Sequence, residues 1–227
     1  MGLARRSKAF EAECGCELKF VALEDGVSLL NRLRMEGKKQ GDVSGLDNNL
    51  LEAAAQSKLF ASNVPASAVS VPGGWDNDTF VPYDYGYFAF VYDKNKLANP
   101  PKSLKELVEA RKNGGSSMKI RVPAPRDWAC CCGCKVYGDQ APEAGRSWPR
   151  KPLPSPKAGR SLWSVPERES DTVLSYTAYH MIEEKKDNYA AASFARAYLQ
   201  VEVAARTAAS KQPELAEKFL KFMVSHG

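Results

Sequence analysis

The sequence predicts an α/β fold, and three observations lead to that prediction. From residue 8 to residue 96, helix-like and strand-like segments alternate, with short polar turns between them. The chain has 227 residues, enough to bury one sizeable core or two smaller ones. Hydrophobic residues make up 44% and charged residues 26%, which is typical of a globular protein rather than a membrane or fibrous chain.

The first predicted elements place an acidic residue at a strand end. A helix through Phe10 ends near Cys14, and residues 17–23 alternate in the manner of a strand. The turn at 24–26 opens a helix over 27–36. Asp25 therefore lies between a strand end and a helix start, where an open α/β sheet and free helix N–H groups bind ligands.

The same alternation continues through the next segments. A short strand is predicted over 42–46, and residues 47–50 resemble the capped start of a helix that runs through Lys58. Residues 80–93 alternate apolar and aromatic side chains and are predicted to form one long strand that can run between two lobes. A turn and N-cap at 99–103 opens a helix over 104–110.

Regular patterning breaks between residues 112 and 168. Prolines, glycines and arginines replace any sustained helical or strand period there, which predicts an irregular segment. Regular structure is predicted to resume with four elements. They are a strand over 172–176, a helix-like run from Tyr179, a strand passing into a helix over 197–205, and a helix over 213–223.

Charge and targeting signals restrict the classes of partner. The formal net charge is only +5, and no basic helix or aromatic RNA-binding motif accompanies it, so no nucleic-acid partner is expected. Residues 1–8 lack the apolar core of a secretory leader, which by itself favours the cytosol. No apolar run approaches the roughly 20 residues of a membrane-spanning helix, which excludes an integral membrane protein.

Six cysteines fall into two clusters, Cys14 with Cys16 and a second group within 130–134. Cys131 and Cys134 have the spacing of half a zinc site, but no second ligand pair follows, so no metal is expected. An alternative explanation is a shifted reading frame. Residues 128–134 can be encoded by TGG GCC TGC TGC TGT GGA TGC, which, read one base earlier, encodes Gly-Leu-Leu-Leu-Trp-Met, an apolar helix face. We hypothesise that part of 112–168 is out of its ancestral frame, and resequencing the coding DNA tests this.

Catalytic patterns are weak, so the chain is not expected to be an enzyme. Asp76 and Asp78 form a close carboxylate pair, which capping of the turn after 73–75 explains better than acid–base chemistry. His180 lies in no catalytic motif, and neither a nucleophile elbow nor a P-loop is present. Aromatic residues near predicted strand ends are more informative, because they suit a flat cationic ligand. They are Trp75, Tyr83, Tyr85, Tyr87, Tyr92, Tyr176 and Tyr179.

Several of these segments together resemble one family. They are AFEA at 9–12, Cys14 and Cys16 with ELK at 17–19, VALEDGVSLLNRL at 21–33, GLDNNLL at 45–51, FVPYDYGYFAFVYD at 80–93, SD at 170–171, LSYT at 174–177, EEKKDNYAAA at 183–192 and YLQVEVAARTA at 198–208. With these segments the chain resembles the periplasmic thiamine-binding proteins, the substrate-binding subunits of thiamine ABC transporters.

The resemblance implies a type II periplasmic binding protein, with two α/β lobes joined by a hinge. Its lobes are expected at 1–80 with 198–227, and at 81–197. Such a receptor closes on thiamine, thiamine phosphate or thiamine diphosphate and delivers it to the permease subunits. It is expected to be a periplasmic monomer without a cofactor.

The resemblance also implies the ligand-binding residues: Asp25 and Gly26 in one turn, and Tyr176, Thr177, Ala178 and Tyr179 in another. Asp25 would face the aminopyrimidine or thiazolium, Tyr179 would stack, and Thr177 would hold phosphate. The family's leader, its first strand and its C-terminal segment have no counterpart here, so the fold is expected to be incomplete at both ends. The alternative is a degenerate, non-functional fragment of such a receptor.

Overall fold

A computed structural model describes residues 3–23, 26–37, 41–62, 70–103, 105–106, 120–121, 134–141, 172–176, 186–193 and 198–225. The chain divides into two compact units. Unit 1 contains Met1–Tyr85 and Val201–Gly227, and unit 2 contains Gly86–Gln200. Both units combine helices with strands, as the α/β prediction requires.

The elements follow one another in a mixed order. The helices are α1 Leu3–Cys14, α2 Gly26–Glu36, α3 Leu51–Ser57, α4 Cys134–Tyr137 and α5 Pro213–Ser225. The strands are β1 Val43–Asp47, β2 Val81–Asp93, β3 Ile120–Arg121, β4 Thr172–Tyr176, β5 Tyr189–Ser193 and β6 Leu199–Arg206. Among the described residues, no helix is long and apolar enough to cross a membrane.

Unit 1 is built on antiparallel pairing of β1 with β6, in a register that sets Val43 opposite Arg206 and Asp47 opposite Glu202. Val81, Ala204 and Leu220 form a buried cluster that joins β2 and β6 to helix α5. This cluster exists because α5 places its apolar residues on one stripe, which must be buried against the sheet.

The two terminal helices of unit 1 meet through aromatic rings. The Phe10 ring of α1 lies 5.0 Å from that of Phe219 and 5.2 Å from that of Phe222. Helix α1 ends at Cys14 because Gly15 adopts a left-handed φ of 64° and donates its N–H to the Glu11 carbonyl. A disulfide joins Cys14 and Cys16, a pairing that the clustering of cysteines did not predict.

Unit 2 is built around the second half of β2. Strands β4 and β5 both pair antiparallel with β2, and β3 pairs parallel with β4. Ala89, Phe90 and Val91 at the centre of this pairing are completely buried. These three residues form the part of the core at which β4 and β5 pair with β2.

Several predicted elements are confirmed within a few residues. The long strand is β2, the short strand is β1, and the last helix is α5. The N-cap before the 104–110 helix is also present, because the Ser103 hydroxyl accepts a hydrogen bond from the Glu106 N–H at 3.0 Å. Leu104 and residues 107–110 lie outside the described residues.

The strand predicted over 17–23 is wrong. Residues 16–23 belong to no strand, and Phe20 and Val21 are 53% and 60% exposed. A strand exists only when a neighbour accepts its backbone hydrogen bonds, and no described strand pairs with this segment.

Two helix predictions fail for a common reason. Residues 197–205 do not pass into a helix, since β6 continues through Ala204 and Ala205 to Arg206. The helix-like run from Tyr179 includes strand β5 in its described part. Alanine favours helices locally, but cross-strand pairing with β1 and β2 overrides that preference here.

The capped start predicted at 47–50 is also wrong. Residues Asn48–Leu50 form a 3-10 turn before α3. The N-cap residue of the turn is Asp47 and that of α3 is Leu50, and neither makes a side-chain capping hydrogen bond. The Asn49 Oδ1 atom is buried and has no hydrogen-bond partner among the described residues.

Candidate functional site

In unit 1, the predicted ligand-binding residue Gly26 begins helix α2. A Cβ atom added at Gly26 would lie 2.5 Å from Leu50 Cδ1 and 3.8 Å from Asp47 Oδ2. Glycine therefore lets the N-terminus of α2 lie against the carboxyl end of β1. Asp25, its predicted neighbour in the site, lies outside the described residues.

In unit 2, Tyr176 is the last residue of β4 and pairs in register with Phe88 of β2. The two rings stack at a centroid distance of 5.0 Å and an interplanar angle of 18°. Phe88 also contacts Tyr198, at 6.1 Å and 34°. Tyr176 is thus a half-buried aromatic side chain supported by two further rings. Thr177, Ala178 and Tyr179 lie outside the described residues.

Sequence reasoning missed a half-buried polar pair in unit 1. The Tyr83 hydroxyl donates a hydrogen bond of 2.9 Å to Glu202 Oε2. Burial raises the pKa of Tyr83 well above its ordinary value, and the charge and hydrogen bond of Glu202 raise it further. Burial is also the main cause that raises the pKa of Glu202, and Asp47 and Asp84 add to it, whereas the Tyr83 hydrogen bond lowers it.

This pair joins residues that are 119 positions apart in the chain. The sequence signalled Tyr83 only as one of several aromatic residues on an alternating strand. Its partner follows from the strand order, in which β6 lies between β1 and β2, and that order is a tertiary property. The carboxylates of Glu202 and Asp47 are therefore like charges at directly paired positions of β6 and β1. Such like-charge pairing is one of the causes that raise the pKa of Glu202.

The other aromatic and acidic candidates have separate roles. Trp75 anchors its loop, because its indole N–H donates to the Phe80 carbonyl at 2.9 Å. Asn77, which lies between the two aspartates, caps the turn by accepting from the N–H groups of Thr79 and Phe80 at 2.9 and 2.8 Å. Asp78 accepts from the Thr79 hydroxyl at 3.1 Å. These hydrogen bonds stabilise the turn between Trp75 and Phe80.

Metal-binding side chains do not converge in the part of the chain that the structure describes, where no group of three histidine, cysteine or acidic residues could hold an ion. Cys130, Cys131 and Cys132 lie outside that part, as does most of the 112–168 segment. The hypothesis of a shifted reading frame stays a prediction.

The chain matches no protein-family model, but it is closely similar to a named protein. It is 62% identical over 231 residues to the thiamine-binding periplasmic protein of Escherichia coli strain K12, and the alignment covers 96% of this chain and 69% of that protein. The chain belongs to this family. The resemblance stated from the sequence segments is therefore confirmed.

Solved structures support the same assignment and extend it to the fold. A periplasmic thiamin binding protein superimposes with a TM-score of 0.81 at 57% identity, over 97% of this chain and 72% of that one. Iron-bound HitA from Pseudomonas aeruginosa gives a TM-score of 0.73 at 20% identity, over 98% of this chain and 77% of HitA. The expected type II periplasmic binding protein fold is confirmed.

Proposed function

We propose that this chain is a periplasmic solute-binding receptor for thiamine that serves an ABC importer. The observation that carries the proposal is family membership at 62% identity over almost the whole chain. Binding proteins of this kind capture a solute and do not transform it, so we propose no catalytic activity. Family membership favours this function over that of a degenerate fragment.

Aromatic stacking supports a thiamine-type ligand. Thiamine carries a flat aminopyrimidine and a cationic thiazolium, and Tyr176 offers a phenol ring already held in place by Phe88. Stacking and cation–π attraction contribute roughly 0.5 to 2 kcal/mol per contact. We propose that Tyr176 supplies one such contact and that Tyr179 supplies a second.

Phosphate esters would need hydrogen-bond donors. We propose that the α2 N-terminus at Gly26 provides N–H donors, because the first turn of a helix leaves them unpaired and its dipole attracts anions. Asp25 would balance the ligand's positive charge and Thr177 would assist with phosphate. These roles make thiamine, thiamine phosphate and thiamine diphosphate the ligands to compare.

Delivery to a membrane permease and a monomeric state complete the proposed function. The monomeric state is tested on the purified oxidised chain, so that the Cys14–Cys16 disulfide is kept. Sedimentation velocity at micromolar concentration is expected to give a single species of 24.9 kDa. A dimer at that concentration would contradict the monomer.

The decisive experiment is calorimetric titration with the three ligands. Stoichiometric heat with at least one ligand is expected, and Tyr176→Ala should weaken binding by roughly 2- to 30-fold, the equivalent of one stacking contact. Tyr92→Ala is the control, since Tyr92 pairs with Thr172 at the opposite end of β4. A folded chain that gives no heat with any ligand would refute binding and favour the degenerate fragment.

A further inference from the structure

Gly86 lies where any side chain would collide with Tyr176. A Cβ atom added at Gly86 would be 2.9 Å from Tyr176 Cδ1, 3.4 Å from Cγ and 3.5 Å from Cβ. Separations below about 3 Å do not occur between such carbon atoms without movement, because dispersion attraction gives way to steep repulsion. A residue other than glycine would therefore displace the ring.

The backbone of Tyr176 cannot absorb this displacement easily. Tyr176 pairs with Phe88 in the β2–β4 ladder, so its Cα position is set by backbone hydrogen bonds on both strands. The atom nearest to the added Cβ is the ring atom Cδ1, and the next two are Cγ and Cβ, which join the ring to the backbone. The remaining freedom is rotation of the ring, which would disturb its stack on Phe88.

Stacking on Phe88 gives the ring one preferred orientation. The two ring planes are within 18° of parallel, and Phe88 is itself packed against Tyr198. Offset stacked pairs contribute about 0.5 to 1.5 kcal/mol beyond the area they bury. Gly86 leaves room for the Tyr176 ring, and the Phe88 ring stacks on it. Both features therefore favour the same orientation of Tyr176.

We infer that Gly86 is a positioning residue that sets the orientation in which Tyr176 meets the ligand. This inference rests on the proposed thiamine-binding function. Gly86 does not itself supply a ligand contact but acts through Tyr176, whose ring it leaves free to lie flat on Phe88. The ligand class is a flat cationic heteroaromatic, for which ring orientation determines the strength of stacking.

A double-mutant cycle with thiamine as the probe tests this inference. Gly86→Ala is expected to weaken thiamine binding by about the same factor as Tyr176→Ala, roughly 2- to 30-fold. In the Tyr176→Ala background, Gly86→Ala should cause less than about a twofold further loss, because residues that act through one contact are not additive. A merely structural glycine would lower the unfolding midpoint and leave affinity unchanged in both backgrounds.

Matched variants keep the test decisive. Gly45→Ala is the control, since a Cβ atom at Gly45 in strand β1 would meet only ordinary contacts at 3.7 and 3.9 Å. It should bind thiamine like the parent chain. If Gly86→Ala does not fold, Phe88→Leu removes the stack while keeping Gly86, and it should show the same loss and the same non-additivity.

The outcomes separate this inference from the proposed function. The parent chain is titrated first, and absence of heat there refutes thiamine binding and with it the inference. If the parent binds, unchanged affinity in Gly86→Ala refutes the positioning role alone. Losses from Gly86→Ala and Tyr176→Ala that multiply in the double variant also refute it, because independent effects would mean that Gly86 does not act through Tyr176.

Discussion

Replacing Tyr83 with phenylalanine removes one hydroxyl from the half-buried pair in unit 1 and leaves the ring in place. At neutral pH the variant loses a hydrogen bond of 2.9 Å to the Glu202 carboxylate. Hydrogen bonds to charged groups contribute about 1.5 to 3 kcal/mol, and both partners here are only half-buried, so we expect a loss near the lower limit, about 1.5 to 2 kcal/mol. The ring's packing beside Val81 and Leu220 is retained.

The loss should depend on pH. The pKa of Glu202 is raised above its ordinary value of 4.5, so at about pH 4 most of its carboxyl is protonated and the bond joins two neutral groups. A neutral bond contributes about 0.5 to 1.5 kcal/mol. Tyr83→Phe should therefore cost less at about pH 4 than at pH 7. Because the Tyr83 hydrogen bond lowers the pKa of Glu202, the variant should also titrate at higher pH.

Urea unfolding at the two pH values, with linear extrapolation to water, measures both losses. Carbon NMR of the Glu202 carboxyl follows its titration directly. Tyr87→Phe is the control, because Tyr87 is 38% exposed and its hydroxyl should contribute within about 0.5 kcal/mol. An equal loss at both pH values, or an unchanged Glu202 titration, would show that Tyr83 does not stabilise the ionised carboxylate.

Three further outcomes are expected from urea unfolding. Glu202→Gln should be more stable than the parent at neutral pH and equal to it in acid. A carboxyl whose pKa is raised in the folded state contributes stability that is full below its unfolded-state pKa and is lost as pH rises through its folded-state pKa. A variant that is less stable than the parent at pH 7 would contradict this. Gly26→Ala should lower the free energy of unfolding by about 1 kcal/mol, because the added methyl group displaces Leu50. Gly41→Ala, which has open space around it, should cost less, and equal costs would contradict this explanation. Val91→Ala should cost about 2 kcal/mol and Val21→Ala under about 0.5 kcal/mol, since Val91 is fully buried and Val21 is 60% exposed; similar costs would place Val21 in a core.

Local patterns predicted those helices and strands whose own residues carry a regular apolar pattern. Helix α5 carries its apolar residues at helical spacing, and β2 is a long run of apolar and aromatic residues with few breaks, so both were recognised within two residues of their ends. Family membership was also accessible, because it depends on residue order alone. Residues 17–23 show the limit of this reasoning, since they have the pattern of a strand but no described partner.

The sequence by itself determined the family, the α/β class and the residue types available for a flat cationic ligand. Only the tertiary structure decided which of them meet. The pairing of β2 with β4 brings Gly86 and Phe88 to Tyr176, and the registers in unit 1 bring Tyr83 to Glu202. The physical reason is that strand register joins positions far apart in the chain, and no local periodicity records which distant strand will be the neighbour.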